Sequence, residues 1–398
     1  MNYIIENIDL TKLTKSELVT KCQELGILRC KSKKKCDLID IIIGKLNNLK
    51  KEKKDDDHDN ESHENKAVDK EETTPLHEIN TNNSTYTLTD LFCGTGAFSY
   101  AFHQTNKVKT IFANDMLDSS EEIFNLNNEI KMTKKSLIDI KDEDIPKSHI
   151  ITGGFPCQPF SIAGTQKGFD DERSNVFWKI LSIIKHNSPE IVILENVKNL
   201  QSHDNGKTFK IIIENLEKLK YYVKYAILNT CKITGIPQNR ERIYIICFKD
   251  KSLYDRFEFD FPEVELKPVM EFLEKDVDAK YYYTNSTIIY DKLNKDVVKD
   301  ISTNTIYQYR RYYVRENKNN VCPTLTANMG GGGHNVPIIL DDKGIRKLTP
   351  RECFNLQGFP FDYKLPLLSS SKLYSLAGNA VSVPVVSLIA NRIFKDIE

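Results

Sequence analysis

One cysteine in this chain is set apart from the others by its neighbours. The run Gly153-Gly154-Phe155-Pro156-Cys157-Gln158-Pro159-Phe160-Ser161 ends a strand-like segment in glycines and then brackets a thiol between two prolines. Proline lacks an amide hydrogen and fixes φ, so such a loop is stiff and displays its side chain instead of pairing into a sheet. A thiolate is a strong nucleophile near neutral pH once its charge is stabilised. The remaining cysteines, at 22, 30, 36, 93, 231, 247, 322 and 353, contain no CxxC pair. Neither zinc-site spacing nor a disulfide framework is visible, and free thiols in a reducing compartment are the expectation.

Other groups surround this candidate nucleophile in the chain. Thr89-Asp90-Leu91-Phe92-Cys93-Gly94-Thr95-Gly96-Ala97-Phe98 has the form of a strand running into a glycine-rich turn. Gly94 and Gly96 let the backbone pass close to a ligand. Phe98 or Ser99 stands near the third glycine of a dinucleotide fingerprint. That disfavours a pyrophosphate cofactor, whereas a phosphate-free one such as S-adenosylmethionine needs only the first bend. An acid about 20 residues onward typically holds ribose hydroxyls. Asp115 stands there, and Met116 is placed to lie against an adenine ring. Glu195 follows the apolar run Ile191–Leu194, a setting that raises a carboxyl pKa; an N-cap or surface acid is the plainer alternative. Arg240 and Arg242 precede the run Ile243–Phe248, and alternation puts both on one face. The alternative for them is a salt-bridged strand edge with Glu241.

These groups need a fold to bring them together. The chain has 398 residues and 40% hydrophobic content, which excludes a wholly disordered protein. At about 150 residues per domain, two or three domains are expected. Its 56 Lys and Arg balance 56 Asp and Glu, so net charge does not mark a nucleic-acid binder. Arginine is concentrated, however: Arg310, Arg311 and Arg315 crowd into six residues among tyrosines. Such forks suit guanine edges and phosphates alike. No apolar run approaches the roughly 18 residues of a membrane span, and the start lacks a signal-peptide pattern. An intracellular location, cytoplasmic or nuclear, is the expectation.

Strand-like runs at Thr87–Phe92, Thr110–Asn114, His149–Gly153, Glu190–Leu194, Tyr221–Leu228 and Ile243–Phe248 alternate with helix-length segments. That rhythm predicts an α/β fold with a mostly parallel sheet covered by helices. It breaks between about 250 and 345, a Tyr-, Lys- and Asn-rich region ending in Gly330 to Gly333, which reads as a second, smaller domain. Ahead of the sheet, residues 1–49 form a helical module. Thr14-Lys15-Ser16-Glu17 fits a capping box, Leu18, Cys22 and Leu25 share a face, and Gly26 is placed to end the helix. A second amphipathic segment runs from Asp37 through Leu38, Ile42 and Leu46. Residues 50–85 carry blocks of charge and almost no apolar side chains, so a disordered tether is expected. His58 and His63 within it read as solvated side chains, and no metal site is expected.

Six ordered blocks carry a family resemblance: TDLFCGTGAF, GGFPCQPFSIAG, ILENVKNL, QNRERIYIICF, RKLTPRECFNLQGFP and YSLAGNAVSVPVV. Together they resemble the DNA (cytosine-5-)-methyltransferase family over about 86–398, and the N-terminal helix pair resembles a SAP-type module. The resemblance implies a Rossmann-like, S-adenosylmethionine-dependent catalytic domain at 86–255. It further implies a target-recognition domain at 256–361 and a segment at 362–398 that completes the catalytic domain. Cys157 matches the nucleophile that attacks carbon 6 of cytosine, and Glu195 the acid at ring nitrogen 3. Arg240 and Arg242 are then placed to contact the cytosine carbonyl, a nearby phosphate and the thiolate. The implied cofactor set is Phe92, Gly94, Thr95, Gly96, Asp115, Met116, Leu137, Asn379 and Val383. One position departs: where the family has an acid near the adenine this chain has Ser136, with Asp139 three residues on.

Carbon 6 is hidden in a duplex, so the base must be flipped out. Ser161 to Arg173 resembles a mobile loop that closes over it, and Gln158, Ser161 and Arg173 join Arg310, Arg311 and Arg315 as expected DNA contacts. The expected partner is double-stranded DNA, bound by a monomer, with a cognate restriction endonuclease as a further partner. RNA, as in a tRNA-directed branch, is the alternative substrate. A non-catalytic DNA-binding protein is disfavoured because Cys157, Glu195, Arg240 and Arg242 are all intact.

Overall fold

A computed structural model describes residues 86–156, 176–297, 305–310, 312–331 and 335–397, with 14–24 and short pieces at 4–5, 8–9, 38–39 and 42. The chain divides into two compact units, Met1–Leu76 and His77–Glu398.

In the first unit, β1 (Ile4–Ile5) and β2 (Ile8–Asp9) pair antiparallel, a feature with no anticipating signal in the sequence. The helix α1 (Lys15–Glu24) opens on the expected capping box. The Glu17 amide donates to Thr14 Oγ1 at 3.3 Å, and the Thr14 amide donates to Glu17 Oε2 at 2.6 Å. Leu18, Cys22, Leu38, Ile39 and Ile42 are buried. Leu25, Gly26, Asp37, Leu46 and the expected tether at 50–85 lie outside the described residues.

The second unit is built on a seven-stranded sheet. Its strands are β3 (Tyr86–Leu91), β4 (Val108–Asp115), β5 (Thr133–Lys134), β6 (Ile150–Gly154), β7 (Ile191–Val197), β8 (Tyr222–Asn229) and β9 (Glu241–Phe248). They lie in the order β5-β4-β3-β6-β7-β9-β8. The first five are mutually parallel; β9 runs antiparallel to both β7 and β8. The expected mostly parallel sheet is therefore present, with one reversed strand.

Why the strands read as continuous apolar runs is plain from their two faces. Ile191 and Ile193 of β7 and Tyr244, Ile246 and Phe248 of β9 join one core with α2 (Ala97–His103) and α11 (Val383–Ile397). Val192, Leu194, Ile243, Ile245 and Cys247 point the other way. They meet α4 (Val176–Asn187) and α5 (Lys207–Lys218) in a second core. Period-two alternation sends successive side chains to opposite faces, and helices cover both. The stretch Ser370–Lys395 has the length and apolarity to cross a membrane, more than the sequence reading allowed. It is broken into α10 (Ser370–Asn379) and α11, and 72% of its most apolar window is buried within the protein.

Within the expected recognition region, 256–361, two parts are distinct. Phe257, Val269, Leu273 and residues of α9 (Pro350–Leu356) belong to the main core. A separate small core gathers Ile289, Leu293, Val297, Tyr307, Ile338 and Ile345. It lies against a four-stranded antiparallel sheet, β11-β10-β12-β13, made of β10 (Tyr307–Arg310), β11 (Tyr313–Glu316), β12 (Ile338–Asp341) and β13 (Gly344–Lys347).

Candidate active site

From β3 the chain turns one way to β4 and β5, and later returns to β6 on the other side of β3. Such a switch point leaves a crevice beyond the carboxyl ends of the strands. A cleft of about 400 Å³ opens there, with the glycine loop at one end and Gly154–Pro156, Glu195 and Arg242 at the other.

The loop is sharply bent. Phe92, Gly94 and Gly96 have φ of 54°, 51° and 72°, three left-handed residues in five. At Phe92 this conformation costs about 1–3 kcal/mol and needs outside support. The Cys93 amide donates to Asn114 O and the Gly94 amide to Asp115 Oδ2, each at 3.0 Å. A Cβ at Gly94 would meet nothing nearer than 3.8 Å, so the backbone angle, not crowding, calls for glycine. Asp115 Oδ1 accepts from the Met116 and Leu117 amides at 2.7 and 3.0 Å. Three acceptor directions of this carboxylate are thus engaged with backbone, and about one of four remains for a ligand. Met116 is 66% exposed at the rim. Thr95 lines the cleft with a buried hydroxyl that has no partner among the described residues, while its carbonyl accepts from Tyr363 Oη at 2.5 Å. Behind the loop, Asp90 accepts from the Ser99 amide, the Ser99 hydroxyl and the Thr152 hydroxyl. Complete burial pushes its carboxyl up to about 6 despite those hydrogen bonds.

At the other end, β6 delivers Phe155, buried, and Pro156, exposed. Asn196 Nδ2 donates to Phe155 O at 2.9 Å, fastening the stem of the cysteine loop to β7. Cys157, Gln158, Ser161 and Arg173 lie outside the described residues. Glu195, 8% exposed, has its carboxyl pushed up by burial against the opposing pull of Arg242 and Arg240. Arg242 Nε lies 3.1 Å from Glu195 Oε1. The N–H is not aimed at that oxygen, which keeps its acceptor capacity. The result is a carboxyl biased towards holding a proton and facing a cleft, which suits proton delivery to a substrate nitrogen.

Arg240 is placed differently from expectation. Its side chain is 2% exposed, with NH1 donating to Leu325 O at 3.0 Å and NH2 to Gly378 O and Ala380 O at 3.2 and 2.6 Å. Although it borders the cleft, its end donors hold backbone from two distant segments, 325 and 378–380. Sequence alternation located the strand face correctly but carried no sign of these carbonyls. Arg240 is therefore a clamp, and Arg242 alone meets Glu195 within ion-pair distance.

Of the expected cofactor residues, Phe92, Gly94, Thr95, Asp115, Met116 and Asn379 line the cleft. Three others sit elsewhere. Gly96 turns the chain into α2, facing Phe124 and Asn128; Leu137 is buried in the second core; and Val383 begins α11, its amide donating to Gln357 O at 3.0 Å. Neither Asp139, in the turn Leu137–Asp139, nor Ser136, which precedes it, is among the lining residues. Of the expected DNA contacts, Arg310 and Arg315 border a second cleft and Arg311 lies outside the described residues. Asn196, Gln238 and Tyr363 were not singled out from the sequence. The first two lie within the motif blocks ILENVKNL and QNRERIYIICF, yet their partners are 41 and 118 residues away in the chain.

Residues 86–395 match a family model described as C-5 cytosine-specific DNA methylase. The chain is similar to the Type II methyltransferase M.Bsp6I of Bacillus sp. (strain RFL6), with 46% identity over 313 residues, covering 77% of this chain and 98% of that protein. Type II methyltransferase M.SsoII of Shigella sonnei is 37% identical over 335 residues, covering 83% and 86%. Among solved structures, the S. pombe Dnmt2 methyltransferase gives a TM-score of 0.59 at 22% identity, covering 78% of this chain and 99% of that one, a likeness of fold.

Proposed function

Since the chain belongs to the C-5 cytosine-specific DNA methylase family, its activity is methyl transfer to carbon 5 of cytosine in DNA, and we propose how its own residues carry that out. Cys157 is the nucleophile, Glu195 the proton donor at ring nitrogen 3, and Arg242 the cation that steadies both carboxyl and substrate. The observation that carries this reading is a buried, proton-biased Glu195 in the same cleft as Pro156, on a stem held by Asn196.

S-adenosylmethionine would supply the methyl group as a sulfonium. The cleft suits such a phosphate-free ligand: the unpartnered Thr95 hydroxyl, the remaining edge of Asp115, the apolar rim at Met116 and the exposed Asn379 would hold it. With a flipped cytosine in place, the Cys157 sulfur bonds to carbon 6 as the ring electrons move towards carbon 5 and nitrogen 3. Glu195 protonates nitrogen 3 and so relieves the developing charge. Carbon 5 is thereby made electron-rich, and the donor held by Thr95, Asp115, Met116 and Asn379 would supply it with an electrophilic methyl group. A solvent water takes the carbon-5 proton, the electron pair left behind restores the ring and expels the Cys157 thiolate, and nitrogen 3 returns its proton to Glu195.

The Type II names of the relatives support a place as the modification half of a restriction–modification pair in the cytoplasm, with a cognate endonuclease as partner. Incubation with labelled methyl donor and either duplex DNA or tRNA tests the reading. Label is expected at carbon 5 of cytosine in duplex DNA, and none with Cys157→Ser, which still retains DNA. Label appearing only in tRNA would overturn it.

A further inference from the structure

The small antiparallel sheet divides its side chains between two tasks. Tyr307 and Tyr309 of β10 and Val314 of β11 turn to the small core. Alternation sends Gln308 and Arg310 to the opposite face, and the antiparallel register sets Arg315 directly across from Gln308. A polar cleft of about 570 Å³ lies along that face, with Gln308, Arg310, Arg315 and Asn317 on one side and Thr324 and Thr326 on the other.

The two arginines of this cleft are not equivalent. Arg315 NH2 donates to Gln308 Oε1 at 2.7 Å and to Asn317 Oδ1 at 2.9 Å. Both planar forks of a guanidinium, side-on and end-on, require that nitrogen. With its two hydrogens engaged, Arg315 retains single donors but no parallel pair. The same bond fixes the Gln308 amide, oxygen towards Arg315 and amino group outward. The Arg310 guanidinium, exposed on the same face, has no hydrogen-bond partner among the described residues and keeps its fork.

The opposite wall is anchored to the catalytic centre. Thr324 Oγ1 donates to Asn239 O at 2.6 Å. The Leu325 amide donates to Gln238 Oε1 at 3.2 Å, and the Leu325 carbonyl accepts from Arg240. Thr326 crosses so close to Gly378 that a Cβ there would lie 2.2 Å from its carbonyl. A base held in this cleft is thereby registered against Glu195.

We infer that Arg310 reads a guanine beside the target cytosine through its O6 and N7, and that Gln308 reads a second base, with Arg315 as the positioning residue that orients its amide. This rests on the function proposed above and deepens it. A two-stranded ribbon fits the major groove, where arginine pairs with guanine and glutamine offers a matched donor and acceptor. Phosphate contacts position a protein without reading sequence and need no oriented amide.

The test uses the full chain on a pool of duplexes randomised around a cytosine, read by bisulfite sequencing. Arg310→Ala should cut the preference for guanine at one position by roughly ten- to a hundredfold while other positions hold. Gln308→Ala and Arg315→Ala should relax one shared position, different from the first, and the double variant should do no more than Gln308→Ala alone. The assignment fails if Arg310→Ala slows methylation equally on every sequence. It also fails if Arg315→Ala leaves every position unchanged or relaxes one that Gln308→Ala spares. No methylation of any duplex by the unaltered protein would contradict the function itself.

Discussion

Arginines line both clefts and serve opposite ends in them. In the first, Arg240 is enclosed and directs its end nitrogens at backbone carbonyls, leaving Arg242 beside Glu195. In the second, Arg310 and Arg315 are exposed, and the partners of Arg315 are side-chain amides on the same face. The difference teaches how to read a cationic residue. A guanidinium buried among carbonyls supplies geometry to other groups, whereas an exposed one braced by amides is prepared for a ligand still to come. Burial raises the proton affinity of the carboxyl in the first cleft; exposure makes the second a place where donors trade water for base edges.

The sharpest test of this contrast is Glu195→Gln. It should lower methyl transfer by roughly 10²- to 10⁴-fold, the usual worth of a positioned acid, with duplex binding retained in a retardation assay. A loss under tenfold would mean that the carboxyl is not the proton source. Arg240→Ala should orphan three carbonyls and cost about 3–5 kcal/mol of stability, seen as a lower unfolding midpoint in denaturant. Arg310→Ala should stay within about 0.5 kcal/mol of the parent. Equal losses at the two sites would erase the distinction.

Asp90 gives a pH-dependent prediction of smaller size. Its folded pKa of about 6 lies above the ordinary 3.8, so the fold favours the protonated form. That contribution is fully present below about pH 4 and is lost as pH rises through 6, up to about 3 kcal/mol. Asp90→Asn should remove this term, so the midpoint of the variant relative to the parent should rise between pH 4 and 7. A difference that does not vary with pH would contradict it. Gly378→Ala, whose Cβ would lie 2.2 Å from the Thr326 carbonyl, should destabilise by about 1–3 kcal/mol or more from overpacking, with a concurrent loss of sequence preference as Thr326 is displaced. Unchanged preference would separate the two clefts that Gly378 joins.

Much of this is legible in the amino-acid sequence itself. Strand runs such as Ile191–Leu194 declare themselves because burial on two faces demands unbroken apolar sequence, and the six motif blocks lie in loops and strand ends that must keep their chemistry. The bend at Phe92 to Gly96 followed from its glycines. What escaped was long-range hydrogen bonding. Nothing local to Arg240 indicates carbonyls at 325, 378 and 380, and nothing near Asn196 indicates Phe155 O. Leu137 and Val383 fell outside the cleft because a motif specifies neighbourhood, while packing decides which way an apolar side chain turns.

The most direct test concerns the sulfur at position 157. A duplex carrying 5-fluorocytosine at the methylated site, incubated with the protein and methyl donor, should form a covalent complex, because fluorine cannot leave as a proton does. Peptide mass spectrometry of that complex should place the modified pyrimidine on Cys157. A complex bonded through any other residue, or none at all on a duplex whose normal counterpart is methylated, would contradict the assignment.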